Sequence, residues 1–337
     1  MDNPVLVEVT RGNVVESRHR GAIAVVDGDG RLVLGVGDIE RPVFPRSAVK
    51  AFQALPLIES GAADRYGFGN AELALAISSH NGEERHVETA RRMLAAAGLD
   101  EGCLECGPQW PERGKDQAVL HRAGLNPGRI HNNCSGKHSG FLCTAACTGE
   151  DPAGYVKAEH PVMRAVVAAG EEMTGAKHAS DRMGIDGCSI PTFAIPLQSI
   201  ALGFARFATG VGLSPARRAA CDRLRKAAAA EPFMVAGTGR FCTKAMTLLG
   251  ERAFVKTGAE GVFTAALPEQ GLGIAVKIDD GAARASEVVT ADLLKRFLSG
   301  LDDRLTAGLD SLRRPAIQDR TGVTVGELRP TAAVSGI

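Results

Sequence analysis

Short β-branched runs stand at both ends of this chain, and most of what lies between them reads as helix. Val5-Leu-Val-Glu-Val-Thr10, Gly21-Ala-Ile-Ala-Val-Val26 and Arg31-Leu-Val-Leu34 open it, the last two flanking Asp27-Gly-Asp-Gly30. A Gly/Asp turn between β-branched runs signals a hairpin. Arg252-Ala-Phe-Val-Lys-Thr257, Gly261-Val-Phe-Thr-Ala-Ala-Leu267 and Leu272-Gly-Ile-Ala-Val-Lys-Ile278 follow in the last third, separated by Gly258 and Pro268-Glu-Gln-Gly271. Strands at both ends with helices between them give a mixed α/β (α+β) chain. Its antiparallel sheet is built from both termini and flanked by helices, with a helical lobe from the middle. Helices are expected at 46–55, 71–78, 83–97, 116–123, 137–147, 159–174, 214–230 and 284–300. The stretch 185–204 mixes Gly, Pro and apolar residues and leaves a return to the sheet open. The tail 313–337 has no clear pattern. All 337 residues are read as one unit, with a sheet layer from about 1–50 and 190–337 and a lobe from about 51–189.

Charge narrows the partners. Lys plus Arg is 39 and Asp plus Glu is 39, so the net charge is zero and no basic excess exists for nucleic acid. Stacking residues are scarce, with 12 Phe, 1 Trp and 2 Tyr. No run of about 18 apolar residues suggests a membrane span. Met1-Asp2-Asn3-Pro4 lacks the basic-then-apolar pattern of a secretory signal, so a cytoplasmic protein with reduced thiols is expected. The 8 cysteines then serve as core fillers, metal ligands or catalytic groups rather than a disulfide framework.

Several motifs fail. Gly35-Val-Gly, Gly237-Thr-Gly and Gly271-Leu-Gly each lack the third glycine of a dinucleotide fingerprint. Gly136-Lys137 is followed by His138 and has no upstream glycine to make a phosphate loop. Cys103-Leu-Glu-Cys106 has no matching second pair for a zinc site.

Ser47-Ala-Val-Lys50 is different. On a helix, three residues turn the chain by about 300° and raise it about 4.5 Å, so both side chains share a face. A neutral lysine there can take the serine's proton, provided burial or a second cation pulls its pKa down from about 10.4. Ser79-His80-Asn81 follows as Ser-x-Asn, and Lys256-Thr257-Gly258 ends a strand. Ser-x-x-Lys, Ser-x-Asn and Lys-Thr-Gly in that order form the signature of serine β-lactamases and penicillin-binding proteins. The gap from Ser47 to Ser79 is short for a β-lactamase, which counts against lactam chemistry but not against the architecture. In this reading Lys256 is the second cation that keeps Lys50 neutral, and Ser79 relays the proton.

A further cluster is His131-Asn-Asn-Cys-Ser-Gly-Lys-His138, with Asp186-Gly-Cys-Ser-Ile-Pro191 far downstream. From residue chemistry alone, Cys134 and Cys188 with His131 or His138 make a plausible zinc set, because zinc prefers thiolates and imidazoles. Two buried thiols near glycine turns are the plainer alternative.

Arg46-Ser-Ala-Val-Lys50, Ser78-Ser-His-Asn-Gly82, Glu105-Cys-Gly-Pro-Gln-Trp-Pro111, the string from His131 to Gly140 and Asp186 to Thr192 together resemble the Rhizobium etli-type L-asparaginase family. The resemblance implies a serine β-lactamase-like fold, a homodimer, and hydrolysis of L-asparagine to L-aspartate and ammonia. It implies one zinc per protomer on Cys134, Lys137 and Cys188, replacing the histidine of the residue-level reading. It also implies two Ser/Lys pairs, Ser47 with Lys50 and Ser79 with Lys256. Ser47 is the expected nucleophile, with Ser79 as the alternative. Arg46, His80, Asn81, His138 and Asp186 are the expected substrate-binding or supporting groups. A related amidase or glutaminase, a penicillin-recognising serine hydrolase and a non-enzymatic zinc-dependent binding protein stay open.

Overall fold

One long strand organises the sheet of this computed structural model, which describes residues 2–336. The eight sheet strands are β1 (Val5–Arg11), β2 (Val14–Asp27), β3 (Leu32–Val36), β4 (Phe254–Thr257), β5 (Val262–Leu267), β6 (Leu272–Ile278), β7 (Ala316–Gln318) and β8 (Thr324–Pro330). Their order is β7-β8-β1-β2-β6-β5-β4, with β3 also beside β2, and all pairings are antiparallel. β2 runs 14 residues; its first half pairs with β1, and its second half lies between β3 and β6. Its sequence records the change. Val14 to Arg20 is largely polar and half exposed, whereas Ala22 to Val26 is apolar and buried throughout, as a strand covered on both faces must be.

β5 and β6 are buried along almost their whole length, packed against by Leu197–Thr209 (designated α3 below) and Ala283–Phe297. The helical region between the sheet halves includes α1 (Lys50–Gln53), Glu84–Ala96, α2 (Ser135–Thr148) and Pro161–Thr174; α3 (Leu197–Thr209) follows it. The antiparallel sheet built from both chain ends is therefore present, and the architecture is mixed α and β.

Local expectations change at several points. The stretch 185–204 does not join the main sheet. Met183–Ile185 and Pro191–Phe193 form a small separate hairpin, and Leu197, Ile200, Ala201 and Phe204 then repeat at helical spacing and make the buried face of α3. Helices Phe241–Leu249 and Asp303–Arg313 were not evident from the sequence. The tail supplies β8, which pairs with β1 and completes the sheet from the C-terminal side. The Ser-x-x-Lys segment is a 3-10 turn, Arg46–Val49, running into the four-residue α1. Pro56 sits in the first turn of helix Leu55–Glu59, where its missing N–H costs nothing.

α3 lies directly on β6 at Gly273. A Cβ there would stand 2.0 Å from the Ala201 carbonyl oxygen and 2.2 Å from the Ala205 nitrogen, both backbone atoms that cannot swing aside. Gly273→Ala is expected to destabilise the protein by about 2–4 kcal/mol through overpacking. Gly114→Ala, at a helical position where nothing lies within 4 Å, should be neutral or slightly stabilising. Urea denaturation compares the two; equal midpoints would refute the close approach.

Candidate active site

The site forms where the Ser79 segment, α1, β4 and the start of α2 meet. Lys50 is 1% exposed, and its ammonium donates to the Ser78 carbonyl (2.5 Å), Ser79 Oγ (3.1 Å) and Cys134 Sγ (3.1 Å). Lys256, fully buried on β4, donates to Ser79 Oγ (2.9 Å) and the Thr257 carbonyl (2.8 Å). Ser79 thus stands between two lysines. Its backbone is fixed too, with the Ser79 N–H on the Val235 carbonyl and the His80 N–H on the Asn133 carbonyl. Ser47 lies on the turn that leads into α1, half-buried, and its hydroxyl makes no hydrogen bond among the described residues. The structure therefore groups Lys50, Ser79 and Lys256 in direct contact and leaves the Ser47 hydroxyl open.

Burial pulls the Lys256 ammonium down to about 7, helped by the positive charges of Lys50 and Arg240. The lysine poised near neutral pH is thus the one on the strand. Two glycines let the backbone assemble. At Gly258 a Cβ would come 2.8 Å from the Pro45 carbonyl oxygen, so the end of β4 can reach the Ser47 turn. At Gly136 it would meet the Leu75 carbonyl oxygen at 2.4 Å, so the start of α2 can press on helix Asn70–Ala76.

Arg46 holds φ at +52°, a left-handed conformation uncommon for a non-glycine residue. Its Nε and one terminal nitrogen both donate to Asp186 Oδ1, at 3.0 and 2.9 Å. Burial raises the Asp186 carboxyl, but Lys137 and Arg46 outweigh it and hold the group below the usual range. Asp186 opens a turn closed by the Ser189 N–H on its carbonyl, with Ser189 at φ +76°, and this turn carries Cys188.

Cys134 and Cys188 are both buried, and Lys137 Nζ lies 3.0 Å from Cys188 Sγ. A hydrogen bond from Cys188 holds the Cys134 thiol well below its usual pKa against burial, aided by Lys50 and Lys137. Burial opposes the charge on Lys137, but the two sulfurs keep it above its ordinary value. Two sulfurs and one amine thus converge, a donor set whose chemistry suits zinc once the amine gives its proton to solvent. The histidine alternatives do not assemble. No three His, Cys, Asp or Glu side chains gather as a metal cluster among the described residues. His131 Nδ1 accepts from the Gly128 N–H, and His138 Nδ1 is bonded with Tyr155 Oη at 2.6 Å.

The remaining sequence candidates are turned inward. His80 is fully buried; its Nδ1 accepts from the Gly82 N–H, so its Nε2–H donates to Ser135 Oγ at 2.9 Å. Burial, then His86 and Lys50, keep it neutral. Asn81 donates to Glu83 and the Thr238 carbonyl and accepts from Arg240. His138 is fully buried, its Nε2 without a protein partner. Sequence reasoning missed Tyr155, Glu83, Thr238 and Arg240. The Gly237-Thr-Gly-Arg240 string was visible, but only as a failed dinucleotide motif.

The L-asparaginase II family model matches residues 7–330. No curated protein matches the chain. Among solved structures it is similar to one described as Mglu, at 17% identity over 89% of this chain and 73% of that chain, with a TM-score of 0.38. It is also similar to a putative beta-lactamase from Bacteroides dorei DSM 17855, at 13% identity over 82% of this chain and 92% of that one, with a TM-score of 0.42. A third is the D-alanine carboxypeptidase AmpC from Burkholderia cenocepacia, at 13% identity, 80% and 90% coverage and a TM-score of 0.38. At TM-scores this low the three likenesses add nothing to the topology described above. The family match spans nearly the whole chain, and the chain belongs to the L-asparaginase II family of amide-hydrolysing enzymes.

Proposed function

We propose that this chain is an L-asparaginase that hydrolyses L-asparagine through a Ser–Lys system. The observation that carries the reading is the Ser79 hydroxyl held by two buried lysines, one of which, Lys50, follows directly on the turn that bears Ser47. Ser47 attacks the side-chain carboxamide carbon. Lys50 takes its proton while handing one to Ser79, and Ser79 hands one to neutral Lys256. The backbone N–H of Ser47 contributes to holding the oxyanion. The proton returns along the same path to the leaving nitrogen, the C–N bond breaks and ammonia departs. Water then attacks the acyl-serine by the same relay and releases aspartate. Ser79 as the attacking group, with Ser47 as relay, is the other order the same groups allow.

Arg46 and Asp186 suit a zwitterion. Each is now the other's partner, and asparagine's α-carboxylate and α-ammonium offer each a substitute of the same charge. His80, Asn81 and His138 then support the walls of the site instead of touching substrate.

Zinc would be held by Cys134, Cys188 and Lys137. When bound it supplies a positive centre that fixes the two sulfurs and offsets their charge. The serine–lysine groups carry the proton transfers themselves. The family resemblance implies a homodimer, which light scattering tests. No described helix is long and apolar enough to cross a membrane.

Ammonia release from asparagine should fall by about 10³-fold or more in Ser47→Ala, Ser79→Ala and Lys256→Met. Glutamine at equal concentration separates a glutaminase, and a penicillin adduct on Ser47 separates a penicillin-recognising enzyme. Full activity in all three variants would sink the Ser–Lys reading. Because the proton acceptor must be neutral and Lys256 sits at about 7, kcat/KM should rise about tenfold per pH unit up to about pH 7 and then level. A flat profile below that point would place the base elsewhere. Metal analysis should find about one zinc per chain, lost in Cys134→Ser and Cys188→Ser. If chelation abolished turnover with binding and fold intact, the supporting role given to zinc would be wrong.

A further inference from the structure

We propose that Glu83 is a positioning residue whose buried carboxylate clamps the Gly237–Arg240 loop to the Ser79–Glu83 segment and so holds Ser79 against Lys256. The inference rests on the Ser–Lys reading above and extends it to a residue outside the reacting groups.

Glu83 is 7% exposed, which a carboxylate tolerates only when fully paired. Its oxygens accept from Asn81 Nδ2 (3.1 Å), the Thr238 N–H (2.7 Å), Thr238 Oγ1 (2.7 Å) and the Arg113 guanidinium. Glu83 also occupies the N-cap of helix Glu84–Ala96, where a carboxylate commonly serves the first N–H groups. Here the side chain turns away from its own helix and serves a loop far along the chain.

That loop is shaped to receive it. Gly237 has φ +108°, and a Cβ there would lie 2.7 Å from both Asn81 Nδ2 and Glu83 Oε1. The Thr238 carbonyl accepts from Asn81, and Arg240 donates to Asn81 Oδ1 at 3.0 Å. Just before the loop, the Val235 carbonyl accepts the Ser79 N–H. The Ser79 end of one short segment is therefore fastened to Val235 just before the loop, and its Glu83 end to Thr238 within the loop. With both fastenings in place the Ser79 hydroxyl is held between Lys50 and Lys256.

Lys256 reports on the clamp. Around it stand Lys50 from α1, Arg240 and Cys242 from the loop and the helix that follows, and Cys134 from the start of α2. If the clamp loosens, Arg240 withdraws and water reaches the ammonium, and both changes stabilise its charged form. Loss of the Glu83 charge with the clamp intact would act in the opposite direction, because a nearby anion favours the ammonium. The sign of the change thus separates positioning from simple electrostatics.

The experiment is a ¹³C NMR titration of lysines labelled at Cε, with the Lys256 signal assigned by its loss in Lys256→Met. It is run on wild type and Glu83→Gln, with kcat, KM and Tm measured in parallel. The expected result is a Lys256 midpoint raised by about half a pH unit or more. kcat should fall by about 10- to 100-fold while KM stays within about twofold. Thr238→Val, which removes one donor from the same carboxylate, should raise the midpoint less, and it decides the matter if Glu83→Gln does not fold. A midpoint that stays put or falls in a folded variant, whatever its Tm, overturns the proposal. Should wild type release no ammonia from asparagine, the functional reading fails by itself, and the Lys256 midpoint still judges the clamp.

Discussion

Two buried lysines share one serine hydroxyl, and the site depends on how their charges are accommodated. With bonds of 3.1 and 2.9 Å to the same oxygen, their nitrogens stand no more than about 6 Å apart. At an effective dielectric of about 20, two full charges at that separation repel by roughly 3 kcal/mol. Burial adds to the penalty. The fall of Lys256 from 10.5 to about 7 corresponds to about 5 kcal/mol, so the two effects are of the size needed. The protein meets the strain unevenly. Lys50 has the Ser78 carbonyl and the Cys134 sulfur as further acceptors, whereas among the described residues Lys256 has only the Thr257 carbonyl. Lys256, with fewer acceptors, is the amine brought down to about 7, and it is the base of the proposed relay.

This division was half legible in the sequence. Ser-x-x-Lys, Ser-x-Asn and Lys-Thr-Gly named all four groups, because each motif is local and each residue type is dictated by the chemistry. Which lysine loses its proton was not local. It depends on a strand, a helix and a loop that meet only in the folded chain. The sequence reading accordingly made Lys50 the base and Lys256 the helper cation. The same limit explains the substrate candidates. His80 and Asn81 lie beside Ser79 in sequence and read there as substrate-binding or supporting groups. Their polar atoms are consumed by Ser135, Glu83, Thr238 and Arg240, partners scattered from residue 83 to 240.

The fold was legible where one face or both faces of an element had a consistent pattern. β5 and β6 read as strands because, Thr264 and Lys277 apart, they are apolar runs buried along almost their whole length. α3 was obscured because Pro191 and Pro196 precede its apolar repeat and blur the period at its start. β8 was unreadable for a different reason. Thr324–Pro330 is mostly half exposed, and only Leu328 and Pro330 turn fully inward, so it shows neither a helical nor an alternating pattern. Its place comes from β1, whose free edge it fills through Val7, Glu8 and Val9. An edge that would otherwise stay open supplies the specificity that the strand's own side chains lack.

The sulfur pair ties the metal question to the same balance of charge. Cys134 touches Lys50, and Lys137 touches Cys188, so each sulfur is matched with one amine. The two pairs are not equivalent. Lys50 also reaches Ser79 and belongs to the proposed proton path, whereas among the described residues Lys137 hydrogen-bonds only to Cys188, with the ring of Phe141 5.7 Å away. An amine with no other acceptor is the one a cation can replace a proton on without disturbing the serines. Lys137, and not Lys50, is for that reason the amine suited to complete a two-thiol metal site. The Arg46–Asp186 pair closes the arrangement from outside. It holds the turn that bears Cys188 against the turn that bears Ser47, so that the sulfur site and the serine site share one frame.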